Sequence, residues 1–193
     1  MKLEVIDNHS VVVGLLTKGA VLDAGCRGFR FAKWFAERGH EVVALDPSPD
    51  IQDPMIPNIT FGNVALAFPS EQKYLVMTED PEARYLTNSL VKGQQSMAVR
   101  QTWLDHAKSW DVVKLNIEGS EFEILKNWPG PIARQIVASF HQHCHYARRT
   151  EKEIAGALTH LERWYKVFNH VKEKRYGCSE NYWDTVFIRR DLT

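Results

Sequence analysis

The sequence contains little cysteine, no long hydrophobic run and no excess of charge of either sign. Its three cysteines, Cys26, Cys144 and Cys178, are odd in number and widely spaced. That pattern argues against a disulfide framework and favours a reducing compartment. Met1 to Glu4 also lack the charged and apolar order of a signal peptide, so we expect a cytoplasmic protein.

Neither a membrane nor a nucleic acid is an expected partner. The apolar stretch 11–16, interrupted by Gly14, is much shorter than the roughly 20 residues that span a bilayer. Lys plus Arg and Asp plus Glu balance at 24 each, so no overall field attracts a polyanion. We therefore expect a small-molecule substrate, and nothing in the pattern indicates an oligomeric state.

The length and composition are those of one ordinary domain, predicted to cover residues 1–193. The chain is 44% apolar, which is enough for a single core. Strand and helix signals alternate through most of it, as in an α/β protein whose sheet carries helices on both faces. We predict a mostly parallel sheet that ends in a C-terminal antiparallel hairpin.

The most informative motif is V-L-D-A-G-C-R-G at positions 21–28. Val21-Leu22 predicts a short buried strand, and 29–38 predicts the helix that follows it. Gly25 and Gly28 allow the chain to turn close to a ligand. A second apolar run closes at Asp46, where a carboxylate can accept hydrogen bonds from both hydroxyls of a ribose.

The glycine spacing indicates which adenosine cofactor the turn binds. A dinucleotide fingerprint needs glycine at position 23 or 27, where the chain has Asp23 and Arg27. The remaining form, D-x-G-x-x-G, suits an amino acid attached to adenosine. The helix start after Gly28 can face its carboxylate, and Asp23 can help hold its ammonium group. S-adenosylmethionine meets these demands, although such a motif alone is also compatible with a simple strand-ending turn.

The rest of the chain continues the alternation with one interruption. Four prolines between residues 47 and 57 predict a loop, and 65–101 is expected to leave the main sheet. Thr102 with Asp105 predicts a short helix ending near Trp110, and Ser120 with Glu123 predicts another. Further predicted strands are 40–45, 59–61, 74–77, 97–101, 112–115, 135–140, 166–171 and 182–188, and a longer helix is expected after Thr150.

The segment V-K-L-N-I-E-G-S-E-F-E-I-L at 113–125 closely resembles the K-I-D-V-E-G-A-E signature of the FkbM family of S-adenosylmethionine-dependent methyltransferases. T-W-L-D at 102–105 and N-I-T-F-G-N-V-A-L at 58–66 resemble its neighbouring elements, the latter including the turn that leads to the adenine. The resemblance implies a Rossmann-like class I methyltransferase fold with a seven-stranded sheet. The predicted cofactor-binding residues are Asp23, Gly25, Cys26, Gly28, Asp46 and Asn63.

Three positions depart from the family pattern. Position 116 is Asn where the family usually has Asp, position 46 is Asp where it often has Glu, and the loop 47–57 is shorter than expected. Either carboxylate can hold a ribose. Asn116 can form hydrogen bonds to substrate or cofactor, but it cannot carry the charge of a base or a strong metal ligand.

Methyl transfer to a hydroxyl needs a proton acceptor in addition to correct positioning. Glu118, Glu121, His141 and His143 follow predicted strands, at the edge where open α/β sheets bind ligands. His141 is the preferred base because histidine titrates near neutral pH, whereas Glu121 reads more simply as a first-turn carboxylate. Glu118, with Asn116, is expected to touch a ligand.

The histidines of H-Q-H-C-H at 141–145 alternate, but they lack the spacing of a structural zinc site, and we expect no metal. The leading interpretation is an O-methyltransferase that acts on a sugar or secondary-metabolite hydroxyl. Two alternatives stay open: a nicotinamide-dependent oxidoreductase, and a non-catalytic binding module that retains the fold.

Overall fold

The computed structural model of the chain describes residues 1–67, 74–79, 86–87, 96–105, 107–117, 120–141, 151–174 and 181–193. Within these ranges the chain forms thirteen strands, three α-helices and two single turns of 3-10 helix. No helix in the described ranges has the length and apolar character that crossing a bilayer requires.

The main sheet has seven strands and holds the core together. In chain order they are β3 (Ala20–Ala24), β4 (Val42–Leu45), β5 (Ile59–Gly62), β10 (Trp110–Leu115), β11 (Ala133–His141), β12 (Tyr165–Lys174) and β13 (Asn181–Arg189). Their spatial order is β12-β13-β11-β10-β3-β4-β5.

The strand directions confirm the predicted α/β fold. The strands from β5 across to β11 pair in parallel, while β13 pairs antiparallel with both β11 and β12. The last strand of the chain, β13, therefore lies between β12, its partner in the terminal hairpin, and β11. This is the predicted mostly parallel, Rossmann-like seven-stranded sheet with a C-terminal antiparallel hairpin.

Helices cover both faces of the sheet because its strands are apolar on both sides, as parallel strands usually are. Helix α1 (Arg30–Ala36) packs with Val21, Val42 and Val112 on one face. Helices α2 (Glu121–Lys126) and α3 (Glu151–Leu161) pack on the other face, with the neighbouring residues of the same strands.

An N-terminal hairpin, which the sequence analysis did not predict, shares the face of α1. It consists of β1 (Leu3–Ile6) and β2 (His9–Val12). Polar side chains of the main sheet bond its backbone: the Gln135 amide accepts from the Val12 N–H and donates to the Val12 carbonyl, at 2.9 and 3.2 Å. The Asp184 carboxylate accepts from the Ser10 N–H at 3.3 Å.

The predicted excursion between β5 and β10 forms a second, four-stranded sheet. Its members are β6 (Ala65–Leu66), β7 (Tyr74–Glu79), β8 (Leu86–Thr87) and β9 (Ser96–Thr102), in the order β6-β9-β7-β8. The strands predicted at 74–77 and 97–101 correspond to β7 and β9.

The short helix predicted from Thr102 to Trp110 is wrong for the described residues of that segment. Thr102 is the last residue of β9, and its carbonyl accepts from the Ala67 N–H at 3.0 Å. The Asp105 carboxylate instead accepts from the Ala107 N–H at 2.9 Å, a local turn that Asp favours as readily as a helix cap.

Helix α2 forms where it was predicted, but its start is stabilised differently. Ser120 occupies the N-cap position and makes no side-chain capping bond. The Glu121 carboxylate instead accepts from the Ile117 N–H at 2.9 Å.

Candidate functional site

The turn after β3 is shaped by its neighbour, the end of β10. Gly25 has φ +77°, and a Cβ there would overlap the carbonyl oxygen of Asn116. The Asn116 N–H donates to the Ala24 carbonyl at 3.1 Å, which places the two strand ends side by side. Only glycine fits this position, for reasons of both conformation and space.

The second glycine of the motif is favoured by its backbone conformation alone, and not by a lack of space. Gly28 has φ +82°, but a Cβ there would meet no atom within 4 Å. Phe29 is also left-handed, with φ 56°, and α1 begins at the next residue. The turn therefore has open space around the Cβ position of Gly28.

Cys26 contributes only its backbone to this turn. Its side chain is buried among the apolar residues around α1, and burial raises the pKa of the thiol far above its usual range. The thiol is therefore neutral. The N–H groups of Gly25 and Cys26 both donate to the Leu45 carbonyl, at 2.8 and 3.3 Å, which joins the turn to the end of β4.

Asp23 lies inside the fold rather than at the surface of the turn. One carboxylate oxygen is 2.7 Å from the Lys114 ammonium, and the other accepts from the Ala32 N–H at 3.1 Å. Lys114 also donates to the Gly25 carbonyl at 2.7 Å. Asp23 and Lys114 are both buried, so the carboxylate that was expected to hold an ammonium group already has a cationic partner.

Asp46 follows β4 directly and is held by the loop after it. Its carboxylate accepts from the Ser48 N–H at 2.9 Å. Burial raises the pKa of this carboxyl, and the Ser48 bonds oppose that shift. The Asn63 amide donates to the carbonyls of Asp46 and Ser48, at 3.0 and 2.7 Å, so Asn63 holds the same loop.

Asn116 carries a buried polar side-chain atom. Its side-chain oxygen, Oδ1, has no hydrogen bond to any residue that the structure describes. Leaving such an acceptor unsatisfied costs about 1–3 kcal/mol, which is unusual in a folded protein. The atom belongs to the residue that follows β10, directly beside the Gly25 turn.

The structure thus brings five of the predicted residues to one edge of the sheet. Gly25, Asp46 and Asn116 follow three adjacent parallel strands, Asn63 holds the loop beside Asp46, and Gly28 lies at the open end of the turn. Ligands of open α/β sheets bind outside the carboxyl ends of the strands, at the switch in strand order. Here β3 is that switch, because β4 lies on one side of it and β10 on the other.

The predicted catalytic residues are only partly described. His141 is the last residue of β11 and lies opposite Tyr182 of β13, with its side chain outside the described part. Glu118 and the histidines at 143 and 145 also lie outside the described residues. Glu121 is buried and holds the Ile117 N–H, in keeping with its interpretation as a helix-start carboxylate.

Within the described ranges, no group of three His, Cys, Asp or Glu side chains is arranged to hold a metal ion. Sequence analysis overlooked Lys114, whose signal was a lysine inside an otherwise apolar strand, V-V-K-L. It also overlooked a buried group beneath the N-terminal hairpin. There His9 Nδ1 lies 3.1 Å from the Ser139 hydroxyl and 3.5 Å from an Asp184 carboxylate oxygen.

No protein-family model matches the sequence, and no curated protein is significantly similar to it. Among solved structures, the chain is similar to 1,6-didemethyltoxoflavin-N1-methyltransferase of Burkholderia thailandensis, at 14% identity over 89% of this chain and 71% of that one, with a TM-score of 0.49. It is similar to magnesium protoporphyrin IX methyltransferase of Synechocystis PCC 6803, at 13% identity over 89% and 74%, with a TM-score of 0.45.

A third similar structure is the 16S rRNA (adenine(1408)-N(1))-methyltransferase of Catenulisporales acidiphilia, at 10% identity over 88% of this chain and 83% of that one, with a TM-score of 0.42. The first two structures hold S-adenosylhomocysteine. All three proteins are methyltransferases, but likeness this distant assigns neither a family nor a substrate. Membership of the FkbM family and the exclusion of nucleic acid both stay predictions.

Proposed function

We propose that the chain is an S-adenosylmethionine-dependent methyltransferase that acts on a hydroxyl of a small molecule, such as a sugar or a secondary metabolite. The observation that carries the proposal is the buried Asn116 Oδ1, which accepts no hydrogen bond from the described part of the chain and lies at the edge where the β3 turn and Asp46 converge. A buried acceptor of this kind calls for a donor that none of the described residues supplies.

The residues at this edge suit the cofactor in three places. The turn from Gly25 to Gly28 has open space at its second glycine for the methionine part. Asp46 is held in place by Ser48 and offers carboxylate oxygens for the ribose hydroxyls. Asn116 offers an acceptor for an N–H or O–H of the cofactor or of the methyl acceptor. S-adenosylmethionine, when bound, supplies an activated methyl group on a sulfonium leaving group.

The protein's own contribution is positioning and proton removal. Alignment of two reactants can contribute up to about 7–11 kcal/mol, which is why a well-held edge matters more here than a strong base. We assign the base to His141 at the end of β11, with Glu118 as the second residue that contacts the acceptor. The hydroxyl as acceptor rests on the resemblance of 113–125 to FkbM enzymes. The balanced charge of the chain favours a small molecule over RNA.

The two other functions make different demands on the same edge. A nicotinamide-dependent oxidoreductase needs a diphosphate cradle, and a buried Asp23 at the start of the turn disfavours one. A non-catalytic module needs only binding. Neither alternative has an observation of its own in its favour.

Calorimetry with S-adenosylhomocysteine and with NAD separates the first two functions, since the proposal expects binding of the former alone. Methyl transfer is tested by incubating the protein with labelled S-adenosylmethionine and a panel of sugars and secondary metabolites that carry hydroxyl groups. A parallel incubation with RNA tests the alternative acceptor. Tight NAD binding without any response to S-adenosylhomocysteine contradicts the proposal. Cofactor binding without transfer to any acceptor favours the module.

A further inference from the structure

Lys114 is a buried cation in the middle of the parallel sheet. Its side chain belongs to β10, a strand whose other residues are buried, and Lys114 itself is only 2% exposed. Lysine is almost never fully buried unless its charge is paired. Its ammonium group lies 2.7 Å from Asp23 Oδ1 and 2.7 Å from the Gly25 carbonyl oxygen.

These contacts join three parts of the site that are separate in the chain. Lys114 belongs to β10, Asp23 to β3, and Gly25 to the turn that follows β3. The second oxygen of Asp23 extends the connection to the first turn of α1, through the Ala32 N–H at 3.1 Å. Both main-chain groups of Gly25 are therefore bonded. Its carbonyl accepts from the Lys114 ammonium, and its N–H donates to the Leu45 carbonyl at 2.8 Å.

The charges of this group do not disfavour a cationic ligand. The pair of Lys114 and Asp23 is net neutral, so it adds no net repulsion of a sulfonium or ammonium group above the turn. Replacing a buried ion pair with apolar side chains is often neutral or stabilising. An apolar side chain at position 114, however, could not bond the Gly25 carbonyl.

We propose that Lys114 is a positioning residue for the S-adenosylmethionine site, which bonds the Gly25 carbonyl and Asp23 so that the turn has its ligand-ready shape before the cofactor arrives. The inference rests on the proposed function. It also reassigns Asp23, which acts through Lys114 and α1 rather than by holding the ammonium group of the cofactor directly.

Two variants test the role, and a third serves as the control. Lys114→Met removes the ammonium group. The double variant Asp23→Asn with Lys114→Met removes it without leaving an unpaired buried charge, and so carries the test if the single variant does not fold. Asp111→Asn is the control: this buried carboxylate lies on the same strand, away from the turn, where it accepts from the N–H groups of Thr17 and Gly19 at 2.6 and 2.9 Å.

Binding is measured by calorimetry with S-adenosylhomocysteine. Both Lys114 variants should raise its Kd by about 10- to 100-fold, the factor expected when a charge-assisted hydrogen bond no longer preorganises a site. Asp111→Asn should lower the melting temperature and leave the Kd unchanged. A double variant that binds S-adenosylhomocysteine as the wild type does would overturn the proposal.

Amide exchange gives a second measurement that a purely structural role would not produce. In the wild type without cofactor, the amides of Gly25 and Cys26 should exchange as slowly as those of β3. In the Lys114 variants, exchange should speed up at these two amides and stay unchanged at Val21 and Leu22. Rapid exchange at Gly25 in the free wild type overturns the proposal. If the wild type fails to bind S-adenosylhomocysteine, the proposed function fails, and the exchange data still show whether Lys114 holds the turn.

Discussion

The carbonyl oxygen of Asn116 occupies the space that a Cβ at Gly25 would need. The glycine of the turn is therefore required by the neighbouring strand of the sheet, whether or not a ligand is bound. The two glycines of the motif, which look equivalent in the sequence, have different roles. Gly25 allows two strand ends to meet, and Gly28 provides open space.

Gly25→Ala and Gly28→Ala should therefore differ in stability. At Gly28 only the left-handed backbone disfavours alanine, which costs about 1–2 kcal/mol. At Gly25 the overlap with a main-chain carbonyl is added, and we expect a loss above about 3 kcal/mol. Urea denaturation measures both free energies of unfolding. Equal losses would mean that β10 moves aside easily.

Asn116→Leu should separate stability from binding. The variant removes a buried acceptor that has no partner in the described part of the chain, so the free energy of unfolding should stay constant or rise by about 1 kcal/mol. Affinity for S-adenosylhomocysteine or for the methyl acceptor should fall. Thermal denaturation and calorimetry on the same sample give both values, and a variant that loses stability while it keeps its affinity contradicts the role assigned to Oδ1.

Asp46→Ala should weaken cofactor binding by a few kcal/mol at most, because it removes charge-assisted hydrogen bonds to the ribose. Burial raises the pKa of this carboxyl above its ordinary value of 3.8. Since the ionised form is the better acceptor, wild-type affinity should fall as the pH drops through that raised pKa. Asp46→Asn is the matched control and should lack this dependence. Unchanged affinity in a folded Asp46→Ala variant would place the ribose elsewhere.

His9 should make the fold sensitive to acid. Burial lowers its pKa from 6.5, and the nearby Lys114 acts in the same direction, while Asp184 and Asp23 oppose the shift. The unfolded chain therefore binds a proton at a higher pH than the folded chain does. Stability should be complete above about pH 6.5 and decline below it, with a slope that approaches about 1.4 kcal/mol per pH unit. Denaturation from pH 7.5 to 5 measures this slope. The His9→Gln variant should have a smaller slope of unfolding free energy against pH. An unchanged slope in that variant would mean that other groups cause the acid sensitivity.

His141→Ala should reduce turnover more than cofactor affinity if its ring is the base. The expected reduction is about 10²–10⁴-fold in kcat, with a Kd for S-adenosylhomocysteine close to that of the wild type. Activity that stays equal to the wild type across the pH range would remove His141 from the mechanism.

Much of the fold follows from local pattern. Apolar runs such as Val42 to Leu45 predict buried strands, and the prolines between residues 47 and 57 predict the loop in place of a crossover helix. Both signals are local, because each depends only on residues that are neighbours in the chain. Thr102 and Asp105 show where such signals fail: the same residue types cap helices and form turns, and the pairing of β9 with β6 decided the outcome.

The position of the candidate site was also predictable. Glycines after one buried strand and a carboxylate after the next must meet at one edge if the strands are parallel. The state of each side chain was not predictable in the same way. Asp23 appeared to be a ligand for an ammonium group, and only the structure shows that Lys114 already occupies that place.

The amino-acid order by itself determined the alternation of strands and helices, the glycine turn and the carboxylate at the tip of β4, because each depends on residues close together in the chain. The tertiary structure alone decided that Lys114 meets Asp23, 91 positions earlier, and that the N-terminal hairpin lies over β11 and β13. Such contacts form between side chains that become neighbours only when strands distant in sequence pair. Their energy depends on which partner each buried polar group meets, and no local pattern records that.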